Sequence, residues 1–264
     1  MNIKSTNFDA GKPFDWGKTS EDYAKYRDIY PPLFYQKIIE RDLCIKGQKV
    51  LDLGTGTGVL PRNLYQYGAD WTGIDISENQ IEQAKLLAQK ADMKINFMAV
   101  SAENIMFSEK TFDVVTSCQS FFYFDHKKIT PVLSHILKEQ GKLLILYMAW
   151  LPFEDEIAGA SEELVLKYSP NWSGAKETRK PVWIPPIVHD YFHMVEHEEF
   201  DLMVPFTKET WHGRMRACRG VGASLSEAEL AKWDEEHRKL LDKIAPDKFD
   251  ILHYAAYAIL ERKS

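Results

Sequence analysis

The stretch "KVLDLGTGTGVLPRNL", residues 49–64, decides how the rest of the chain is read. "KVLDL" has the apolar character of a short strand, Gly54, Gly56 and Gly58 follow within five positions, and "VLPRNL" then reads as the start of a helix. A strand that enters a glycine turn and leaves as a helix presents backbone N–H groups with no Cβ to hold a polar ligand away. The dinucleotide fingerprint G-x-G-x-x-G, counted from Gly54 and Gly56, requires its third glycine where Val59 stands. A phosphate-cradling loop is excluded as well, because no Lys-Ser/Thr pair closes the turn. Asp52, two places before the first glycine, would repel a pyrophosphate and suits a cationic ligand.

Working outward, "DWTGIDI" (70–76), "KINFMAV" (94–100), "TFDVVTSC" (111–118) and "GKLLILYMAW" (141–150) are further strand candidates. Helical stretches separate them. The clearest is 78–91, where Ile81, Ala84, Lys85 and Ala88 fall near one face, Ser77 is placed as N-cap and Glu78 lies in the first turn. Alternation of strand and helix from about residue 45 to 150 predicts an open, mostly parallel α/β sheet. After Trp150 the alternation stops: an acidic helix-like piece and a Pro- and Trp-rich segment fill 151–195. "HEEFDLMVPF" (197–206) and "FDILHYAAYAILER" (249–262) then read as two more strands of the same sheet, separated by helical sequence.

"VLDLGTGTG" followed about twenty residues later by "GIDIS" resembles the first two motifs of class I S-adenosylmethionine-dependent methyltransferases. The resemblance implies a Rossmann-like, seven-stranded mixed sheet, mostly parallel with its last strand antiparallel, flanked by helices and covered by a helical lid. It further implies S-adenosylmethionine as cofactor and S-adenosylhomocysteine as product. Carried over by position, Asp52, Gly54, Thr55 and Gly56 lie against the methionine and ribose part, and Asp75 with Ile76 ends the second strand at the ribose hydroxyls. Ala102 and Glu103 occupy the adenine loop, with Ser101 where relatives often carry Asp. Cys118 and Gln119 end the fourth strand under the sulfonium. "DYAKYRDIYPPLF" resembles the N-terminal helix that closes over the cofactor in small-molecule methyltransferases, which makes Tyr23 and Arg27 candidates for the methionine tail and Tyr26 a candidate for the acceptor. "CQSFFYF" stands where enzymes methylating exocyclic amines of nucleic acids carry Asn/Asp-Pro-Pro-aromatic, which reduces that reading.

The division expected from this pattern is a lid from 1–30, a cofactor-binding core from 31–150 completed by strands in 196–206 and 248–262, and acceptor-binding insertions at 151–195 and 207–247. Tyr123, Trp183, Trp211 and Arg216 are the acceptor-pocket candidates; Arg216 matches a hydrophobic-Arg-small pattern that resembles the acceptor segment of aconitate-type methyltransferases and would favour a carboxylate. Methyl transfer is an in-line displacement that asks mainly for positioning and exclusion of water. A hydroxyl acceptor needs a base, for which His189, His193 and His212 are candidates; a carboxylate needs none. His189, His193 and His197 are spaced by four, but Pro185 and Pro186 and the strand-like "HEEFDLM" argue against one helix carrying a metal site, and none is expected.

The 264 residues, 45% of them apolar, suffice for one large domain or a domain with a cap. A net charge of −6 gives no general reason to approach nucleic acid, so a small molecule is the expected partner, with the chain a monomer or homodimer. Three dispersed cysteines (44, 118, 218) and the lack of an apolar leader or membrane-length run point to a reducing, cytoplasmic setting. A non-catalytic S-adenosylmethionine-binding protein, an RNA or tRNA methyltransferase and an NAD(P)-dependent oxidoreductase are the competing readings.

Overall fold

In the computed structural model, which describes residues 8–263, strands and helices follow in the order the pattern requires. Two short helices, α1 (Ser20–Tyr26) and α2 (Pro32–Ile39), lead into β1 (Lys49–Leu53), α3 (Val59–Leu64), β2 (Asp70–Asp75), α4 (Glu78–Lys90), β3 (Asn96–Ala99) and β4 (Phe112–Cys118). Then come α5 (His126–Ile136), β5 (Leu137–Trp150), α6 (Glu156–Tyr168), α7 (Val188–Tyr191), β6 (Phe192–Thr207), α8 (Lys208–Arg216), α9 (Glu227–Ile244) and β7 (Lys248–Arg262). The strands form a seven-stranded sheet in the order β3-β2-β1-β4-β5-β7-β6. β1 pairs in parallel with both β2 and β4, β2 with β3, and β4 with β5. The chain moves outward from β1 to β3 and then returns to β4 on its other side. That reversal leaves a crevice at the carboxyl ends of β1 and β4, where open α/β sheets bind ligands.

Local chemistry explains the main elements. Ser77 Oγ accepts from Gln80 N and starts α4, whose Ile81, Ala84 and Ala88 pack on Phe97 of β3. Lys85 is exposed; the fourth buried position is Gln80, because the buried stripe turns slightly away from the expected face. Asp125 caps α5, and its Ile129, Leu133 and Ile136 join Leu51, Leu53 and Val115 in one apolar cluster. β5 begins at Leu137, four residues before the apolar run, because α5 passes directly into it. β6 begins at Phe192, five residues before the expected start at His197, and therefore also includes His193, whose polar neighbours disguised that part of the strand. Its Glu196 and Glu198 are charges with partners: Arg41 Nη2 lies 2.6 and 3.0 Å from them, and the Tyr257 hydroxyl, 2.8 Å from an oxygen of each, has one proton to give to either.

The chain divides into two compact units, with strands β5, β6 and β7 passing covalently from one to the other. The larger holds residues 31–148, 180–200 and 255–263, and so the glycine turn and the strands around it. The smaller holds residues 8–30, 149–179 and 201–254. Its centre is a hydrogen-bonded chain joining α6, α8 and α9. Trp211 Nε1 donates to Ser161 Oγ (2.9 Å), which lies 3.0 Å from His237 Nε2; His237 Nδ1 and His212 Nδ1 are 2.9 Å apart, and His212 Nε2 is 3.1 Å from Asp234 Oδ1. One assignment satisfies every link with both imidazoles neutral. His212 donates to the carboxylate, His237 donates to His212, and Ser161 donates to His237.

In the same unit α1 rests on α8 where Gly213 has no side chain. A Cβ on Gly213 would lie 2.3 Å from the Tyr26 ring. Gly213→Ala is therefore expected to cost about 1–3 kcal/mol through overpacking, despite alanine's better helix propensity. Urea unfolding of the variant checks this; an unchanged midpoint would mean that the ring moves away freely.

Candidate functional site

β1 delivers the chain to Gly54 with Asp52 behind it. Gly54 has φ +62°, in the left-handed region, and a Cβ there would lie 2.6 Å from Ser120 Cβ, so both backbone conformation and space require glycine. Ser120 is the reason for the close approach: its Oγ donates to Leu53 O at 2.7 Å and lies 2.7 Å from Ser117 Oγ. The turn from β1 is thereby pinned to the end of β4. Nothing in the glycine pattern pointed to Ser120; a serine two residues past a strand's end was the available signal.

Asp75 closes β2 beside this turn. Its Oδ2 accepts from Gly56 N (3.0 Å) and its Oδ1 from Ser77 N (2.9 Å). Two backbone donors fix the carboxylate in one orientation, and each oxygen keeps a lone pair for another donor. Burial pushes its pKa up, opposed by the bonds from Ser77 and Gly56. Asp52 is fully buried, and Thr116 Oγ1 of β4 donates to its Oδ1 at 2.6 Å. Burial pushes its carboxyl up to about 6, against the hydroxyl bonds that hold it down, with the charge of Asp75 adding to the rise. Two acidic side chains thus stand at the ends of adjacent strands, Asp75 held by backbone donors and Asp52 by a threonine hydroxyl. This is a place for a cation and for hydroxyl donors, and an unfavourable one for phosphate.

The remaining cofactor candidates of the larger unit surround the same strand ends. Gln119 follows β4 with φ +63°, its N donating to Leu146 O (2.9 Å) and its Nε2 to Met148 O. A non-glycine residue held in this conformation is a strained position of the kind that gathers at ligand sites. Cys118 is partly exposed beside it. Ile76, just past Asp75, keeps 39% of its surface exposed, and Thr55 and Ala102 are buried. Glu103 is held locally: Ser101 Oγ donates to its Oε2 and Asp125 N to its Oε1 at 3.0 Å. Its carboxylate caps the approach to α5, which leaves less of it for an adenine.

The acceptor candidates fall apart into different environments. Tyr123 is half-buried and Trp183 exposed, both in the larger unit. Trp211 has no exposed surface and donates to Ser161, so it is core of the smaller unit and is corrected here as a pocket residue. Arg216 is also corrected as a free anion ligand: Asp22 and Asp234 already take its guanidinium. Tyr26 donates to Glu209 Oε1 at 3.1 Å, and Arg27 Nη2 donates to Tyr23 Oη at 2.9 Å, all in the smaller unit. Among the base candidates, His212 is buried with both ring nitrogens engaged and serves the chain described above. His189 lies exposed on α7 and His193 exposed on β6, with its Nε2 3.7 Å from Glu261. α7 ends at Tyr191, so His189, His193 and His197 do not share a helix, and among the described residues no three His, Cys, Asp or Glu side chains are grouped to hold a metal.

Residues 50–141 match a family model described as a methyltransferase domain. The matched segment runs from β1 to the start of β5 and contains every carboxylate and glycine of the turn just described. The chain carries a class I S-adenosylmethionine-dependent methyltransferase domain. Similar curated proteins include a ubiquinone biosynthesis O-methyltransferase of Coxiella burnetii, 32% identical over 40% of this chain and 46% of that protein. Another of that name, from Nitrosococcus oceani, is 23% identical over 80% of this chain and 77% of that protein. The chain spans about half the length of the first curated relatives it matches. Among solved structures, a phosphoethanolamine N-methyltransferase of Haemonchus contortus in complex with phosphomonomethylethanolamine and S-adenosylhomocysteine superposes with a TM-score of 0.55 at 19% identity. It covers 93% of this chain and 58% of that one. A cyclase, SpnF, superposes with a TM-score of 0.51 at 17% identity over 87% of this chain and 80% of that one. These likenesses describe the methyltransferase fold alone, and a cyclase among them shows that the fold does not fix the reaction.

The methyltransferase domain fits its cofactor class on the chemistry of its donor set. Asp75 keeps lone pairs that would suit a ribose diol, and Asp52 lies buried behind the glycine turn, where its carboxyl would suit a cationic group. Among the described residues, no helix is long and apolar enough to cross a membrane.

Proposed function

We propose that the protein transfers a methyl group from S-adenosylmethionine to a hydroxyl or carboxylate of a small-molecule acceptor. The observation that carries this reading is the Asp75 carboxylate, locked by Gly56 N and Ser77 N at the end of β2 with lone pairs left for two hydroxyl donors. The sulfonium cofactor supplies an activated methyl group, and this chain's residues bind, orient and exclude water. Asp75 would hold the ribose, Gly54 and Gly56 would admit the methionine portion, and Ile76 would cover one face of the adenine. Cys118 and Gln119, at the end of β4, would border the transferred group. In the reaction a bond forms between acceptor oxygen and methyl carbon as the carbon–sulfur bond breaks. A hydroxyl acceptor must also give up its proton, and His189 and His193 are the candidate bases with exposed rings. The names of the curated O-methyltransferases support an oxygen acceptor, and the net charge of −6 supports a small molecule over nucleic acid.

Calorimetric titration of the ligand-stripped protein with S-adenosylhomocysteine tests the reading. The expected result is one site of micromolar affinity and, in a separate assay supplied with S-adenosylmethionine, methyl transfer to a subset of hydroxylated or carboxylated acceptors. Folded protein that binds none would overturn it, and binding without transfer to any acceptor would leave a non-catalytic binder.

A further inference from the structure

Asp52 and Asp75 belong to neighbouring strands of the larger unit, yet their carboxyl groups are held in different ways. Asp75 accepts from two backbone N–H groups, Gly56 N and Ser77 N. Asp52, at 2% exposed, accepts from a side chain: Thr116 Oγ1, 2.6 Å away and itself fully buried. The register of the sheet makes this bond, because Asp52 lies opposite Thr116 where β1 pairs with β4. Among the described residues no cationic side chain pairs with Asp52. The titratable groups that face it are Asp75 on β2 and Cys44 on the chain before β1. Asp75 opposes a charge on Asp52, and the Cys44 thiol, pushed well up by burial and then by Asp52, stays neutral. Burial is the largest influence on Asp52 and lifts it to about 6, against the hydroxyls of Thr116 and Thr55. A carboxyl so placed carries its charge readily only when a cation comes near, and the glycine turn that begins at Gly54 is two residues along the chain.

We propose that cofactor binding is proton-linked through Asp52, which gives up a proton to a cationic cofactor, and that Thr116 is the positioning residue that sets how readily it does so. The inference rests on the methyltransferase reading and adds a control of affinity to its cofactor site. In the linked step the O–H bond of the neutral carboxyl breaks and the proton passes to the buffer. The electron pair stays on the carboxylate, to which Thr116 donates. A cation favours the charged form, so the group is more acidic in the complex than in the free protein. Protons are therefore released on binding wherever the free protein still holds them, and affinity rises with pH through about 6 and is level above it. Thr116 acts from the other side: its hydroxyl favours the carboxylate, and without it the free protein keeps the proton to higher pH. Valine copies the shape of threonine without the donor, whereas serine keeps the donor.

The test is calorimetric titration of the full chain with S-adenosylhomocysteine, whose amino-acid end carries an ammonium group, at pH 7.5 and pH 5.5. Each titration is run in two buffers of different ionisation enthalpy, so that the heats report the protons exchanged, and circular dichroism shows that the protein is folded at both pH values. Wild type is expected to release about three-quarters of a proton at pH 5.5 and almost none at pH 7.5, and to bind about fourfold more weakly at the lower pH. Asp52→Asn is expected to release none and to bind equally at both. Thr116→Val is expected to release protons at pH 7.5 as well, and Thr116→Ser to restore the wild-type profile. No release from wild type at pH 5.5 would overturn the proposal. So would an unchanged release in Asp52→Asn, which would assign the proton to another group such as Asp75. A Thr116→Val profile equal to wild type would remove the positioning role. Should Asp52→Asn not fold, the wild-type and Thr116 profiles decide by themselves. A folded wild type that binds no S-adenosylhomocysteine at either pH fails the methyltransferase reading, whereas binding without proton release fails the linkage alone.

Discussion

Replacing Asp75 by alanine is expected to weaken S-adenosylhomocysteine binding at least about 100-fold while leaving a folded protein. Both carboxylate oxygens are already aimed by backbone donors, Gly56 N at 3.0 Å and Ser77 N at 2.9 Å, so no ordering cost remains when a diol arrives. A hydrogen bond to a charged group contributes about 1.5–3 kcal/mol, and a ribose makes two, which together exceed the roughly 2.7 kcal/mol that a hundredfold affinity loss represents. The variant also frees Gly56 N and Ser77 N and so loosens the turn that carries Gly54. Asp75→Asn separates these contributions: it preserves shape but places an NH₂ against a backbone N–H, and it is expected to lose most of the same affinity. Calorimetry reads the affinity, and circular dichroism shows whether the fold persists. A change of less than about threefold in both variants would remove Asp75 from the cofactor site.

The second large effect is acid destabilisation originating in the smaller unit. His237 and His253 are each held at about 3, in both cases mainly because burial disfavours the charged ring. For His237 the next contribution is the nearby His212. For His253 the Ile251 carbonyl bond opposes the shift, while Arg214 and Arg27 add to it. The ordinary histidine value is about 6.5, so between roughly 6.5 and 3 the unfolded chain binds protons that the folded chain refuses. The stability these two residues contribute is fully present above about 6.5 and declines as pH falls through that window. At pH 5 each accounts for about 2 kcal/mol of loss. Urea unfolding at pH 7 and pH 5 measures the sum, and His253→Gln is expected to remove about half of the difference. A stability that is flat between those two pH values would show that these rings are protonated without cost.

The chain shows which of its charges its sequence could assign. Arg214, Arg216 and Arg219 stand within six positions of one another and look equivalent as letters. Their partners come from residues 9, 22 and 234, distant in sequence and near in the fold, so only the packed structure shows that Arg216 and Arg219 are matched and Arg214 is not. His212 is a similar case. As a letter it is a plausible base; in the structure it links Asp234 to His237 and stacks on Trp233, with ring centroids 5.3 Å apart. Trp211 beside it was placed at a pocket on aromatic character alone, and the same character makes it core once Ser161 satisfies its indole N–H.

The sequence by itself determined the parallel α/β sheet, the glycine turn between β1 and α3, the acidic residues at the ends of β1 and β2, and the start of α4 at Ser77. All of these are local: strand period, left-handed backbone at glycine and N-cap chemistry act over a few residues and are written in the order of the letters. The tertiary structure decided the rest: that β7 lies between β5 and β6, that Ser120 pins the turn at Gly54, that Arg216 is neutralised, and that the buried Nε of Arg214 has no partner. Those outcomes depend on which distant side chains meet, and a charge or a hydrogen bond is settled by its neighbour in space rather than by its neighbour in sequence.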